Sequence, residues 1–121
     1  MAEVTVIGAT GSFEIEDFKM KLQEMGVLGI DPEMVCGKDH LISAANCAVR
    51  AFSSNRNVCS TLAMETMLYA SGEHQILKAA DKMGIKSNNA VALVIFDMKM
   101  EEVLSKLNLK QDDSLLEPSE E

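Results

Sequence analysis

The chain has 121 residues, a formal net charge of −8 and a hydrophobic share of 47%, which fit one folded domain and exclude an intrinsically disordered chain. Its acidic character excludes general affinity for nucleic-acid duplexes, because a polyanion repels it at long range. No hydrophobic run approaches the roughly 20 residues of a membrane span and no secretory leader opens the sequence, so we expect a cytoplasmic protein that does not bind membranes.

The first segment predicts a strand followed by a helix. Residues 4–7 are all β-branched, which favours a strand, and the stretch from Gly8 to Gly11 predicts a turn or hairpin. It is not a dinucleotide-binding turn, because Glu14 occupies the third glycine position and would place a carboxylate against a pyrophosphate. The helix is predicted from hydrophobic residues at helical spacing before a glycine stop signal, namely Ile15, Phe18, Leu22 and Met25 before Gly26.

The next segment predicts a strand and a long helix. We expect a loop over residues 27–32, a short strand over residues 34–36, and then a helix with Asp39 as its N-cap. The hydrophobic stripe of this helix is formed by Leu41, Ala45, Ala48 and Phe52, with Ile42 and Val49 beside it. Its four alanines, at positions 44, 45, 48 and 51, allow another backbone to approach closely.

Residues 60–86 predict two helices that meet at Ser71 and Gly72. Ser60 or Thr61 is the N-cap of the first, and one face of that helix is expected to be buried, formed by Ala63, Met64, Met67 and Leu68. Gly72 is expected to cap the second helix with Gln75 at its N3 position, and Gly84 to end it in a left-handed conformation.

That second helix carries two different faces. Its apolar stripe consists of Ile76, Leu77, Ala80 and Met83. Its basic face carries His74, Lys78 and Lys82, which are four residues apart. The basic face lies in the only positively charged part of the sequence, since residues 38–86 contain six Lys and Arg against four acidic residues.

The last third predicts a central strand, a helix and a tail. Residues 90–96 form an unbroken apolar run, which is typical of a strand covered on both faces, and the helical spacing of Met100, Val103, Leu104 and Leu107 predicts a final helix. The sequence thus predicts an α/β fold of about three to four strands and about five helices in the order β-α-β-α-α-α-β-α. We expect one domain over residues 1–110 and an acidic, disordered tail over residues 111–121.

Catalytic and metal-binding constellations are not evident in the sequence. Cys36, Cys47 and Cys59 lack the close spacing of metal ligands, and we expect them to be reduced and mostly buried. His40 and His74 are far apart in sequence and each lies at a helix start, so we expect exposed or capping histidines rather than catalytic ones. We therefore expect no catalytic residues, no metal and no cofactor.

Glu65 is the polar residue that stands out, because it interrupts an apolar helix. A buried carboxylate costs several kcal/mol unless it is paired. We assign it a structural polar role, with Arg50, Arg56 or a helix N-terminus as candidate partners.

The middle of the chain resembles the PRPK-binding protein (Cgi-type) family. The resemblance covers roughly residues 35–97 and is most specific at the Ser-Gly-x-x-Gln-Ile core. The matching motifs are Gly37-x-x-His40-Leu41, the alanines at 44, 45, 48 and 51, Arg50-Ala51-Phe52, Leu62-x-x-Glu65-x-x-Leu68-Tyr69-x-Ser71-Gly72-x-x-Gln75-Ile76-x-x-Ala79 and Gly84-Ile85.

The resemblance implies a non-catalytic subunit of KEOPS, the complex that makes threonylcarbamoyladenosine in tRNA. Such a subunit docks on the kinase/ATPase subunit of the complex and recruits tRNA through its single-stranded 3′ CCA end. A few unpaired nucleotides need a local basic groove rather than a broad positive field. The candidate RNA-binding residues are Lys38, His40, Arg50, Arg56, Gly72, His74, Gln75, Lys78 and Lys82.

Two further hypotheses accompany this interpretation. The kinase-facing surface is placed on the exposed side of the helices, with Met64 or Met67 partly accessible. The alternative function is a small-molecule-sensing regulatory α/β domain that uses a pocket near Gly72. An enzyme in its own right would need a catalytic constellation that the sequence does not offer.

Overall fold

A computed structural model describes residues 3–35, 37–73 and 75–116 of the chain. It contains four strands, five α-helices and two short 3-10 helices in this part. In chain order they are β1 (Val4–Thr10), α1 (Ile15–Met25), β2 (Leu28–Ile30), a 3-10 helix (Pro32–Met34), α2 (Lys38–Ser53), α3 (Leu62–Ser71), α4 (Ile76–Met83), β3 (Ala90–Phe96), α5 (Met100–Leu107), β4 (Lys110–Gln111) and a second 3-10 helix (Asp113–Leu116).

The four strands form one antiparallel sheet in the order β2-β3-β1-β4. The predicted α/β class and element order are confirmed. The predicted central strand is also confirmed, because β3 pairs with β2 on one side and with β1 on the other. Residues 91–95 are all buried, as expected for a strand covered on both faces.

Helices cover both faces of the sheet. On one face, α2, α3 and α4 contribute to a core around Val6 and Val94; on the other, α1 and α5 pack around Ile7 and Leu93. Adjacent residues of each strand thus enter different cores, because side chains alternate across a strand. In the described residues, no helix is long and apolar enough to cross a membrane.

Helix α2 packs against the sheet through its small residues. Ala44, Ala45, Ala48 and Ala51 are all buried, as the alanine pattern predicts. The N-cap is Gly37 rather than the expected Asp39, which lies inside the first helical turn. A carboxylate in that turn still interacts favourably with the helix dipole.

The second strand lies earlier than expected. Residues 28–30 form β2, whereas Pro32–Met34 is a 3-10 helix and the predicted strand over residues 34–36 is absent from the described positions, Cys36 being outside them. Pro32 cannot donate to a strand ladder, and the Asp31 carboxylate accepts a hydrogen bond from the Glu33 backbone N at 3.1 Å. Both features stabilise a turn at this point.

Strand β1 is longer than expected, because Gly8, Ala9 and Thr10 continue it instead of forming a turn. Gly8 allows a close backbone contact: the Asp112 backbone N donates to the Gly8 carbonyl at 2.8 Å. A Cβ atom at residue 8 would collide with the Asp112 carbonyl oxygen. The glycine therefore permits the chain's last segment to pack against the sheet.

That last segment differs from the expected disordered tail as far as residue 116. Lys110–Gln111 pairs with β1 as β4, and Asp113 accepts a hydrogen bond from the Gly8 backbone N at 3.1 Å. Leu116 is only 2% exposed and belongs to the core of α2 and α3. Burial of this leucine offsets the acidic composition, while residues 117–121 lie outside the described part of the chain.

Candidate functional site

The C-terminal end of α3 is the point where three helices meet. Thr61, one of the two predicted N-caps, starts α3 by accepting a hydrogen bond from the Met64 backbone N at 3.2 Å. The helix ends at Gly72, whose φ of 72° is left-handed. This leaves the last carbonyls of the helix without helical partners.

Two predicted RNA-binding residues bind these carbonyls. His40 Nε2 lies 2.9 Å from the Ala70 carbonyl oxygen, and Lys82 Nζ donates to the Ser71 carbonyl at 2.9 Å. A cation at a helix C-terminus also interacts favourably with the helix dipole. These contacts bring the start of α2, the end of α3 and α4 together, and α2 and α3 run in opposite directions.

The other predicted residues near this junction are exposed. Lys38 lies in the first turn of α2, and Lys78 lies one turn before Lys82 on the same face of α4. Gln75 is the N-cap of α4, a role that the sequence assigned to Gly72, which instead ends α3. His74 lies outside the described residues. We call the exposed lysines at this junction, Lys38, Lys78 and Lys82, the lysine cluster.

Arg50 and Arg56 do not join the lysine cluster. Twelve residues of α2 separate Arg50 from Lys38, which corresponds to about 18 Å along a helix. Arg50 Nη2 donates to Cys47 Sγ at 3.4 Å, and the Arg56 backbone N donates to the Ala51 carbonyl at 2.8 Å. The candidate RNA-binding residues that the structure describes therefore occupy two places at opposite ends of α2.

Helix α4 exposes part of its predicted apolar stripe. Ala79 and Met83 are buried, but Leu77 is 82% exposed and Ala80 is also exposed. The helix ends at Gly84 with φ −64° and ψ 157°, an extended rather than a left-handed conformation. Among the residues whose burial is described, the buried face of α4 therefore includes Ala79 and Met83 and excludes Leu77 and Ala80.

Glu65 is buried as expected, with 2% of its surface exposed. Its Oε1 accepts hydrogen bonds from the backbone N of Val58 at 3.0 Å and of Cys59 at 2.7 Å, and its Oε2 lies 3.2 Å from the same Val58 N. Its partners are thus loop amides, and not Arg50, Arg56 or a helix N-terminus. The carboxylate fixes the loop that leads into α3.

Cys59 lies next to this carboxylate. Burial raises the pKa of the Cys59 thiol, and the negative charge of Glu65 and a hydrogen bond to its carboxylate raise it further. Cys59 and Cys47 are both free and half-buried, so these two are less buried than expected. In the ranges that the structure describes, no three His, Cys, Asp or Glu side chains form a potential metal site.

A cavity of about 310 Å³ opens between the loop before α3 and the end of that helix. The described residues that line it are Val58, Glu65, Leu68, Tyr69, Gly72 and Glu73, and we call it the Tyr69 cavity. Val58 is 78% exposed and Tyr69 is 48% exposed. Neither residue was predicted to line a site. The signal for Tyr69 was its place on α3 beside Leu68 and Glu65, because an aromatic residue next to the buried face of a helix can leave apolar surface exposed.

A second groove, of about 380 Å³, lies between α1, β2 and α3. Its walls include Leu22, Met64, Met67 and Ile85. Met64 is 38% exposed and Met67 is half-buried, so this face of α3 is partly accessible, as expected for Met64 or Met67 but not for a fully buried face. The side chains of α3 are accessible here because a groove separates α1 from α3 at the edge strand β2.

The family comparison concerns most of the chain. The family model described as kinase binding protein CGI-121 matches residues 14–121. No curated protein sequence matches the chain. The matched range includes all five α-helices and every residue that lines the Tyr69 cavity. The chain belongs to the CGI-121 family of kinase binding proteins.

Proposed function

We propose that this chain is the kinase-docking, tRNA-recruiting subunit of a KEOPS complex in the cytoplasm. It has no catalytic role of its own and binds the single-stranded 3′ CCA end of tRNA for threonylcarbamoyladenosine modification. Membership of a kinase binding family over residues 14–121 is the observation that carries the proposal. The tRNA part rests on the resemblance described above and is supported by the lysine cluster.

The lysine cluster suits a short, flexible nucleic acid better than a duplex. Lys38 and Lys78 are exposed, and the chain as a whole has a net charge of −8. A long duplex would meet this negative charge over most of its length, whereas a few unpaired nucleotides approach only a local positive site. We therefore propose Lys38, Lys78 and Lys82, rather than Arg50 and Arg56, as the phosphate contacts.

The small-molecule-sensing alternative depends on the Tyr69 cavity beside Gly72. At about 310 Å³, the cavity lies at the lower limit for ligand pockets. Two of the described residues that line it are glutamates, which would repel nucleotides and other anionic effectors. We therefore retain kinase docking and tRNA recruitment as the proposed function.

The tRNA proposal is tested by fluorescence anisotropy with labelled tRNA at about 0.1 M salt, where the Debye length is about 10 Å. Wild-type protein is expected to bind intact tRNA more tightly than tRNA trimmed of its CCA end. The double variant Lys38→Glu/Lys78→Glu is expected to bind at least tenfold more weakly, because two phosphate contacts are lost. Equal binding of intact and trimmed tRNA would contradict the proposal.

A matched control separates local from general charge effects. Lys21 and Lys106 pair with Asp17 and Glu102 on α1 and α5, which cover the opposite face of the sheet. The double variant Lys21→Glu/Lys106→Glu changes the net charge by the same amount. It is expected to retain most of the tRNA affinity.

Kinase docking is tested separately, by isothermal titration calorimetry with the purified KEOPS kinase subunit. Wild-type protein is expected to form a one-to-one complex. A chain that does not bind the kinase, or that hydrolyses nucleotides or transfers a group on its own, would contradict the proposed adaptor role.

A further inference from the structure

The Tyr69 cavity contains a buried negative charge that lacks a positive partner in the described residues. Glu65 lines the cavity and is 2% exposed. The three ion pairs found in residues 3–35, 37–73 and 75–116 all lie on α1 and α5. A buried carboxylate normally has a hydrogen-bonded cation as its partner.

The described hydrogen bonds of Glu65 come from uncharged donors. Oε1 accepts from the backbone amides of Val58 and Cys59, Oε2 lies 3.2 Å from the Val58 amide, and the Cys59 thiol also donates to this carboxylate. These contacts satisfy the carboxylate without neutralising it. Its negative charge therefore still favours a cation in the cavity.

The remaining lining residues favour a delocalised cation. Tyr69 offers an aromatic ring that is 48% exposed, Val58 and Leu68 provide apolar walls, and Glu73 provides a second carboxylate. The Glu73 backbone N donates to Ser71 Oγ at 3.1 Å, which holds this residue at the end of α3. A guanidinium group can stack on an aromatic ring and donate to carboxylates at the same time, which an ammonium group does less well.

We propose that the Tyr69 cavity receives an arginine side chain presented by the kinase partner. The inference rests on the proposed kinase docking. It places the docking at the Tyr69 cavity and assigns it to contacts of a guanidinium group with an aromatic ring and carboxylates. Tyr and Arg are both enriched among the residues that contribute most of the binding energy at protein interfaces. The two glutamates disfavour a nucleic-acid occupant, because phosphates would be repelled.

The proposal is tested by calorimetry with the KEOPS kinase subunit and three variants of the full chain. Glu73→Lys places a positive charge at the cavity and is expected to weaken kinase binding about tenfold or more. Tyr69→Leu keeps an apolar side chain but removes the ring, and a loss of about fivefold is expected. Glu101→Lys makes the same charge change in the first turn of α5 and is expected to leave the affinity within about twofold.

A second measurement detects the arginine directly. Phenylglyoxal modifies exposed guanidinium groups, and mass spectrometry maps the modified arginines of the kinase. One kinase arginine is expected to be protected in the complex with wild-type protein and to regain reactivity in the complex saturated with the Tyr69→Leu variant.

The outcomes distinguish this inference from the proposed function. If wild-type protein binds the kinase but Glu73→Lys binds equally well, or if no kinase arginine is protected, the arginine proposal fails and kinase docking stands. If wild-type protein does not bind the kinase, both fail. If Glu73→Lys strengthens tRNA binding while kinase binding is unchanged, the cavity belongs to the RNA-binding surface and the arginine proposal is wrong.

Discussion

Glu65 organises the loop before α3 through two backbone amides, those of Val58 and Cys59. Hydrogen bonds that involve a charged group contribute about 1.5–3 kcal/mol each in proteins, so this residue stabilises both the loop and the start of the helix. The sequence identified Glu65 because a charge interrupted an apolar helix. Its partners could not be predicted, because every residue has a backbone amide and only the loop conformation decides which amides point at the carboxylate.

Cys59 provides a test of this arrangement. The Glu65 carboxylate contributes to the raised pKa of the Cys59 thiol by its charge and by accepting a hydrogen bond, so less reactive thiolate forms at a given pH. Glu65→Gln removes the charge but keeps an acceptor, and Cys59 is expected to react with iodoacetamide several-fold faster in this variant at pH 8. Mass spectrometry of the alkylated peptides measures the rates.

The controls for this test lie in the same protein. Cys47, on α2 beside Arg50, is expected to react at the same rate in the wild type and in the Glu65→Gln variant. The difference at Cys59 is expected to decrease at pH values well above the raised pKa, where the thiol is ionised in either protein. A slower reaction of Cys59 in Glu65→Gln would show that the carboxylate does not act on the thiol as described.

At the scale of elements, local periodicity predicts helices well and says less about their ends. The hydrophobic spacing of α1 and α5 identified both helices, because their buried stripes are formed by residues three and four positions apart. Gly26 and Gly72 end helices in the left-handed conformation, but Gly84 is extended. A glycine allows both conformations, so the contacts of the following residues decide between them.

The segment from residue 111 to residue 116, the first part of the expected disordered tail, was predicted least well. Its acidic and polar composition indicates disorder, and the two leucines at 115 and 116 do not form a periodic pattern. The structure places this segment on β1, a strand about 100 positions earlier in the chain. Pairing of this kind depends on three-dimensional proximity, which single-sequence patterns do not contain.

Leu116 tests whether this segment contributes to stability. Leu116→Ala is expected to lower the free energy of unfolding by about 2 kcal/mol or more, because it removes buried atoms from the core of α2 and α3. The same change at Leu77, which is 82% exposed on α4, is expected to have an effect of less than about 0.5 kcal/mol. Urea unfolding followed by circular dichroism measures both values. Equal stabilities of the two variants would indicate that the last segment is not part of the folded core.

At the scale of the whole molecule, the distribution of charge matters more than its sum. The net charge of −8 is concentrated outside residues 38–86, and the lysine cluster lies inside this range at the junction of α2, α3 and α4. The sequence indicated a basic middle segment but could not show that α2 separates Lys38 from Arg50. The fold divides that segment into an end with exposed lysines and an end with arginines.

This division predicts a weak dependence of tRNA binding on salt. About three phosphate contacts, at Lys38, Lys78 and Lys82, correspond to a slope of about −2 in a plot of log K against log salt for a single strand. Anisotropy titrations between about 50 and 200 mM salt measure the slope. A slope near −4 or steeper would mean that Arg50 and Arg56 also contact phosphate.

The position of β1 in the sheet has a consequence for synthesis on the ribosome. Both strands that pair with β1 come late in the chain, since Val4 pairs with Phe96 and Thr10 pairs with Ala90 and Lys110. At about 5–20 residues per second, translation reaches Phe96 on the order of 5–20 s after β1. The helix pair of α2 and α3 is complete well before then, whereas the β-branched residues of β1 still lack partners. Nascent chains that stop before β3 are therefore expected to aggregate or to require a chaperone, because they expose a strand with two unpaired edges.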